Sequence, residues 1–187
     1  MTTSDRSLPG APPRRRRHVV RWLWVCLPLA AWLAVIALDS TDIASSAHTD
    51  VLLLRLVHLF VPRQAGPGTG GFGALSWLVR KSAHVIEYGI LGALLARAVR
   101  ALLPGFARGQ GWELLWRVAV VALPCGLLVS ASDEVHQLFV PSRVGAARDV
   151  AFDFVGLAVG VVVMWLLWRR RGNCEAAAAE SAEQAEV

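Results

Sequence analysis

Apolar residues form four long runs along the chain, separated by polar or glycine-rich connections. The runs cover residues 19–38, 77–103, 114–140 and 150–168. A helix of roughly 20 apolar residues is long enough to cross the ~30 Å hydrocarbon core of a bilayer. The pattern therefore predicts an all-α fold, a four-span transmembrane helical bundle within a membrane domain of residues 19–171.

The first run follows a basic leader and is also compatible with a secretory signal. A signal has an apolar core of about 7 to 15 residues and a small-residue cleavage site. Residues 19–38 form a longer run, and no clear Ala-x-Ala exit follows it. We therefore favour a first transmembrane helix.

A fifth apolar patch, residues 51–61, is too short to span a bilayer and contains Arg55 and His58. With Asp50 as an N-cap, it predicts a short extracytoplasmic helix that lies in the membrane interface. The glycine-rich stretch after it lacks the Gly-Lys-Ser/Thr ending of a phosphate-binding loop. We interpret that stretch as a flexible linker.

The segments outside the apolar runs differ in charge. Residues 1–18 contain several prolines and the run Arg14 to Arg17, which predicts a disordered basic leader. Residues 172–187 contain glutamates among alanines, which predicts a disordered or marginally helical acidic tail. We expect both segments to be cytoplasmic.

Composition supports a membrane protein, because 55 % of the 187 residues are hydrophobic and the mean hydropathy is +0.49. Such a chain is too apolar for an ordinary soluble domain and too short for a large transporter. The basic residues are clustered beside apolar runs rather than interleaved with aromatic residues on a soluble face, which argues against nucleic-acid binding. The three cysteines form no disulfide framework and no CxxC motif.

The positions of the 19 Lys and Arg residues predict the orientation. Most of them lie in the leader, between the second and third runs, and directly after the fourth run. Basic residues that flank spans are enriched on the cytoplasmic side. We therefore expect a multi-pass cell-membrane protein with both termini in the cytoplasm.

Functional side chains occur where the second run enters the membrane. Lys81, His84, Glu87 and Tyr88 are spaced i, i+3, i+6 and i+7, so they lie within one helical face. A charge at the centre of a spanning helix costs roughly 2.5 to 3.5 kcal/mol on insertion scales. This face should therefore contact protein or water rather than lipid.

The third and fourth runs supply further polar residues at the same predicted end of the bundle. Asp133, His136 and Gln137 share a face, whereas Glu134 is rotated by about 100°. In the fourth run, acids and glycines share a stripe, and the Gly-x-x-x-Gly spacing permits close helix approach. The members of that stripe are Asp149, Asp153, Gly156 and Gly160.

These three clusters resemble the VanZ-like family of small bacterial membrane proteins over roughly residues 77–165. The resemblance rests on Lys81, His84, Tyr88 and Gly92, then on Asp133, Glu134, His136, Gln137, Pro141 and Arg143, and then on Arg148, Asp149, Asp153 and Gly156. Members of that family commonly have Asn where this chain has Asp153. The resemblance implies an envelope setting and a link to resistance against the glycopeptide teicoplanin, but it implies no particular reaction.

The residue types permit acid/base chemistry. His84 or His136 could transfer a proton while Glu87, Asp133 or Glu134 orients the imidazole. The candidate ligand-binding residues are Lys81, Tyr88, Gln137, Arg143, Arg148, Asp149 and Asp153. Imidazoles with carboxylates could also hold Zn²⁺ or Mn²⁺, but no His-Glu-x-x-His motif is present, so we predict neither a metal nor a cofactor.

The pairing of Glu87 is a separate hypothesis. Arg143 follows the third run and can offer Glu87 a planar guanidinium, for which an anionic head group would then compete. Alternatively, Lys81, Arg143 and Arg148 neutralise the acids in an ion-paired plug that only locks the helices together.

Three classes of function follow. The first is a binding or protective module for a membrane lipid, an anionic envelope lipid, a cell-wall precursor or a lipophilic glycopeptide. The second is a small intramembrane enzyme that acts on an envelope lipid. The third is a structural partner, either of a second copy of the chain or of another membrane protein.

Overall fold

The structure is a computed structural model that describes residues 14–41, 70–139 and 147–185. These residues form four helices, α1 (Arg14–Asp39), α2 (Gly70–Leu102), α3 (Gly111–Gln137) and α4 (Ala147–Ala185). The predicted all-α class is confirmed. The predicted interfacial helix of residues 51–61 lies outside the described residues.

Three of the helices contain a segment that is long and apolar enough to cross a membrane. These segments are Val20–Asp39 in α1, Gly111–Gln137 in α3 and Arg148–Ala176 in α4. Helix α2 is not among them, and Lys81, His84 and Glu87 interrupt its apolar sequence. Three membrane-spanning candidates are therefore established, and the fourth span stays a prediction.

Contacts between helix termini define two ends of the bundle. At one end, which we call the Arg100 end, the Arg97 side chain donates a hydrogen bond to the Trp24 carbonyl of α1. At that end Trp165 of α4 also donates to the Gly111 carbonyl of α3, at 2.7 Å. At the other end, which we call the His84 end, Ser40 of α1 meets His136 of α3. Consecutive helices therefore run in opposite directions.

Helices α2 and α4 form the most extensive interface, and glycine makes it possible. A Cβ at Gly160 would overlap the carbonyl oxygen of Gly89 and lie 2.8 Å from the Ala93 nitrogen. A Cβ at Gly156 would likewise overlap the Val85 carbonyl oxygen. The close approach predicted from the Gly-x-x-x-Gly spacing is therefore present, with backbone packed directly on backbone.

The interior of the bundle is narrow and its outer surface is apolar. Tyr88, Leu91 and Leu157 are fully buried between the helices. By contrast, Leu27 on α1 and Leu128 on α3 are 68 % and 69 % exposed. A large exposed apolar surface of this kind is typical of a membrane or protein contact, and it is expected for helices that face lipid.

The helix bounds differ from the predicted ones at several ends. Helix α1 begins at Arg14, inside the segment predicted to be a disordered leader. Helix α2 begins at Gly70 rather than near residue 77. Helix α4 continues to Ala185 through the tail that was predicted to be disordered or marginally helical. Alanine and glutamate have high helix propensity, which favours continuation of a helix that is already nucleated.

Candidate functional site

Lys81 and Asp149 form an ion pair at the outer rim of the His84 end. The Lys81 Nζ atom lies 2.5 Å from Asp149 Oδ1. The same ammonium group lies 5.5 Å from the centroid of the Phe152 ring. The pair joins α2 to α4, so this part of the site agrees with the locking role considered for the basic residues.

Below this pair, one buried carboxylate connects three helices. Asp153 of α4 is fully buried, and its Oδ2 atom accepts a hydrogen bond of 2.7 Å from Ser130 Oγ of α3. Its Oδ1 atom lies 3.4 Å from Nδ1 of His84 on α2, within ion-pair distance. Neither Nδ1 nor Oδ1 has a hydrogen-bond partner among the described residues. The 3.4 Å contact is therefore made by two atoms with no other polar partner in this part of the chain, and with the Ser130 hydrogen bond it joins His84, Ser130 and Asp153 into one unit.

A second group is centred on Asp133 of α3. Its Oδ2 atom accepts a hydrogen bond of 2.9 Å from Gln137 Nε2 and a longer one of 3.5 Å from the Tyr88 hydroxyl. Tyr88 is fully buried and Gln137 is 5 % exposed. The predicted pairing of the Asp133 face with the α2 face is therefore present, and Tyr88 makes the contact.

Glu87 of α2 lies within electrostatic range of both groups and of α1. The charges that act on its carboxyl group include those of Asp39, Asp133 and Asp153, and one basic group, His84. No Lys or Arg of the described residues forms a salt bridge with Glu87. Lys81 pairs with Asp149 instead, and the proposed partner Arg143 lies outside the described residues.

His136 faces a different neighbour from the one that shared helical spacing suggests. Its Nδ1 atom is hydrogen-bonded to Ser40 Oγ of α1 at 2.9 Å. The two residues lie at the polar end of a cleft of about 480 Å³ between α1 and α3. The apolar lining consists of Leu33, Ile36, Ala37, Leu128 and Val129, and the polar lining of Ser40, Thr41, Ser132, Asp133 and His136.

Asp133 connects the interior to this cleft, because it lines the cleft and also accepts the hydrogen bonds from Tyr88 and Gln137. Two further predicted site residues are Glu134 and Arg148. Glu134 is buried, at 8 % exposure, but does not line the cleft. Arg148 is exposed in the first turn of α4.

Helix α1 contributes residues that the sequence did not indicate. Ser40 binds His136, and Trp32 Nε1 donates a hydrogen bond of 3.0 Å to the carbonyl oxygen of Glu87. The sequence indicates this contribution only by position, because the polar residues Asp39 and Ser40 end the first apolar run at the same predicted end of the bundle as the other clusters. A run of apolar residues does not reveal which of its faces carries such a contact.

Within residues 14–41, 70–139 and 147–185, no group of three or more His, Cys, Asp or Glu side chains is arranged to hold a metal ion. The Ser130 hydroxyl donates to Asp153, so it belongs to the buried hydrogen-bonded unit described above.

The chain was also compared with known proteins. The VanZ/LLP1 family model matches residues 24–168. The matched range contains most of α1, all of α2 and α3, and α4 as far as Trp168, together with both groups of site residues. The comparisons with curated proteins and with solved structures found no match.

Proposed function

Because the chain belongs to the VanZ-like family of membrane proteins, we propose that it binds a membrane amphiphile at the His84 end of its helical bundle. The head group of the ligand meets Ser40, Asp133 and His136, and its apolar chain occupies the cleft between α1 and α3. The observation that carries the proposal is this cleft, whose apolar walls end at a cluster of polar side chains.

The size and lining of the cleft suit such a ligand. A volume of about 480 Å³ lies within the range of roughly 300 to 1,000 Å³ that is typical of small-molecule sites. Such sites are mostly apolar and contain a few polar groups that fix the orientation of the ligand. An amphiphile has the same division, with an apolar chain and a polar head.

The charges around the cleft favour a head group that donates hydrogen bonds. The carboxyl groups of Asp39, Asp133 and Asp153 lie in the neighbourhood of Glu87, whereas Lys81 is paired with Asp149. Hydroxyl, amide or ammonium groups of a ligand can donate to Asp133, and hydrogen bonds to a charged acceptor are the stronger ones. The sequence-based preference for an anionic ligand depends on Arg143 and Arg148 instead.

A lipid-linked cell-wall precursor has such a head group, with many hydroxyl and amide donors. A lipophilic glycopeptide antibiotic has the same two parts, which is compatible with the link to teicoplanin that the family resemblance implies. The distribution of arginines supports an extracytoplasmic position for the His84 end. The ligand is therefore expected in the outer leaflet.

The experiment is native mass spectrometry of the full-length protein purified in mild detergent, with identification of the retained lipids. The variants are Asp133→Asn and His136→Gln. The matched control is Glu113→Gln, which also removes a carboxylate but lies at the Arg100 end with a side chain that is 74 % exposed.

We expect wild type and the control to retain one class of lipid whose head group carries hydroxyl or amide donors. Loss of a charged hydrogen-bond partner is worth about 1.5 kcal/mol or more, so Asp133→Asn should lower the occupancy of that lipid about tenfold. The proposal fails if Asp133→Asn, His136→Gln and Glu113→Gln retain the same lipids to the same extent as wild type.

One observation favours a second candidate, a small intramembrane enzyme. The His84 imidazole lies 3.4 Å from a fully buried carboxylate, an arrangement that can orient a general acid or base. In that case His84→Gln should retain the lipid but abolish its conversion, measured as product formed from the bound lipid over time. Unchanged lipid in the wild-type sample would exclude turnover of that lipid.

A further inference from the structure

A second cavity lies at the Arg100 end, far from the cleft. Its volume is about 780 Å³, and it lies where the end of α2, the start of α3 and the polar part of α4 meet. Arg100, Arg169 and Arg171 line it, together with Gln110 and Trp168. We call this cavity the Arg100 pocket.

Two of these arginines are held in place by tryptophan rings. The guanidinium carbon of Arg100 lies 4.5 Å from the Trp168 ring centroid, and that of Arg169 lies 4.9 Å from the Trp165 ring centroid. A guanidinium stacked on a ring keeps its N–H groups free for an anion. None of the three arginines forms a salt bridge within the described part of the chain.

Acidic groups reduce this positive charge only in part. Glu175 also lines the Arg100 pocket, so the lining has three arginines and one glutamate. Glu113 in the first turn of α3 lies 3.7 Å from the Arg117 guanidinium, and its charge is thereby offset. The pocket retains a net positive charge.

The first turn of α3 adds hydrogen-bond donors to the lining. Its N-cap residue, Gln110, makes no side-chain hydrogen bond to the helix terminus. The backbone N–H groups of an uncapped helix start point outward and favour an anion. Here they adjoin a lining that is already cationic.

The depth of the pocket corresponds to the level of lipid head groups. The apolar sequence of α4 ends at Trp168, and Arg169 follows directly. Trp112 and Trp116 at the start of α3 are 72 % and 64 % exposed. Tryptophan is enriched at membrane–water interfaces, and arginine on the cytoplasmic side of them. The pocket therefore lies where lipid phosphates lie.

We propose that the Arg100 pocket binds the phosphate head group of an anionic phospholipid from the cytoplasmic leaflet. Arg100 and Arg171 contact the phosphate, and the tryptophans border the glycerol backbone and the upper acyl chains. The site is separate from the proposed amphiphile site at the His84 end. Basic pockets between transmembrane helices on this side are a recurring form of lipid recognition.

The test titrates phosphatidylglycerol into the delipidated full-length protein in detergent and measures the bound fraction by native mass spectrometry. Phosphatidylcholine with the same acyl chains reports selectivity for an anionic head group. Glycerol phosphate reports whether the free phosphate group is sufficient. Thermal melting of every variant reports its folding.

The test variant is Arg100→Gln with Arg171→Gln. Its matched control is Arg108→Gln with Arg170→Gln, which removes the same charge from exposed arginines at the same end that do not line the pocket. Each arginine near a phosphate is worth about fivefold in affinity, so the test pair should weaken phosphatidylglycerol binding about 25-fold. The control pair should weaken it less than threefold, and binding of phosphatidylcholine should not change.

Equal weakening by the two pairs would overturn the proposal, because the effect would then come from general surface charge. Equal affinity for phosphatidylcholine or for glycerol phosphate would also overturn it, since the site would then be selective for neither the charge nor the lipid. If the double variant does not fold, Arg171→Gln compared with Arg170→Gln decides alone. In that comparison a ratio near one contradicts the proposal and a ratio of about five supports it.

Discussion

Asp153 places a carboxyl group in the fully buried interior, and its neighbours explain how the bundle tolerates it. Ser130 donates to one carboxylate oxygen and His84 lies beside the other. Through these contacts the carboxyl group of Asp153 joins α2, α3 and α4. Members of the VanZ-like family commonly have Asn at this position, and the amide oxygen of Asn can accept the Ser130 hydrogen bond equally well.

We therefore predict that Asp153→Asn and Asp153→Ala differ in stability. The alanine variant leaves the Ser130 hydroxyl without its acceptor and removes the carboxyl group that lies 3.4 Å from His84, which should cost about 3 kcal/mol. The melting temperature in detergent should then fall by roughly 6–12 °C, since about 1 kcal/mol shifts it by 2–4 °C in a chain of this size. The asparagine variant should lose less than about 1 kcal/mol. Equal melting temperatures for the two variants would contradict this role of Asp153.

Asp133 and Glu134 are neighbours in sequence but have different surroundings. Asp133 lines the cleft and accepts two hydrogen bonds, whereas Glu134 is buried away from the cleft. We predict that Asp133→Asn reduces lipid retention about tenfold with a small change in melting temperature. Glu134→Gln should retain the lipid. Lipid retention and melting temperature, measured on the same samples, test this, and equal losses of both properties in both variants would count against it.

At the scale of the helices, the contact between α2 and α4 depends on glycines, which have no side chain to separate the two backbones. A Cβ at Gly160 has no room, because the backbone of Gly89 occupies that volume. Gly172 on the same helix has nothing within 4 Å of an added Cβ. The same substitution therefore has opposite expected effects at the two positions.

We predict that Gly160→Ala forces α2 and α4 apart and costs about 1–3 kcal/mol. Gly172→Ala should be neutral or stabilise the helix by up to about 1 kcal/mol, because alanine has the higher helix propensity. Thermal melting in detergent measures both. A Gly160→Ala variant that melts at the wild-type temperature would show that this contact is looser than described.

The pattern of apolar and polar residues predicted the helices and the α2–α4 contact because both follow from local spacing. Two polar residues of α2, Lys81 and His84, meet the acids of α4 as their helical faces suggested. The cleft was not predictable in the same way, since it needs the rotation of α1 against α3. Ser40 and His136 are 96 positions apart, and no local pattern links them.

His136 illustrates the limit of facial reasoning. It shares a helical face with Asp133 and Gln137, which predicted a common site. In the structure, Gln137 contributes to the buried side of Asp133 while His136 lies on the cleft side, with Ser40. The helical spacing gave the correct neighbourhood, but the packing of α1 determines which side chains meet.

For the whole molecule, the orientation in the membrane determines which leaflet the cleft and the Arg100 pocket each face. We predict that both termini and the Arg100 end are cytoplasmic. Cys174 is exposed just beyond the arginines that follow α4, so a membrane-impermeant maleimide should label it in whole cells only after permeabilisation. In a variant whose natural cysteines are replaced by serine, Ser142→Cys should be labelled without permeabilisation. The reverse pattern would move the proposed amphiphile site to the cytoplasm.

Photo-crosslinking from the cleft tests the central claim most directly. A benzoylphenylalanine in place of Leu128 lines the cleft, and one in place of Leu38 is a control, since Leu38 is 61 % exposed but does not line it. We expect the probe at 128 to capture one lipid class with a donor-rich head group, and Asp133→Asn to abolish that product. The probe at 38 should capture bulk phospholipids. The same bulk lipids from both positions, unaffected by Asp133→Asn, would contradict binding of an amphiphile in the cleft.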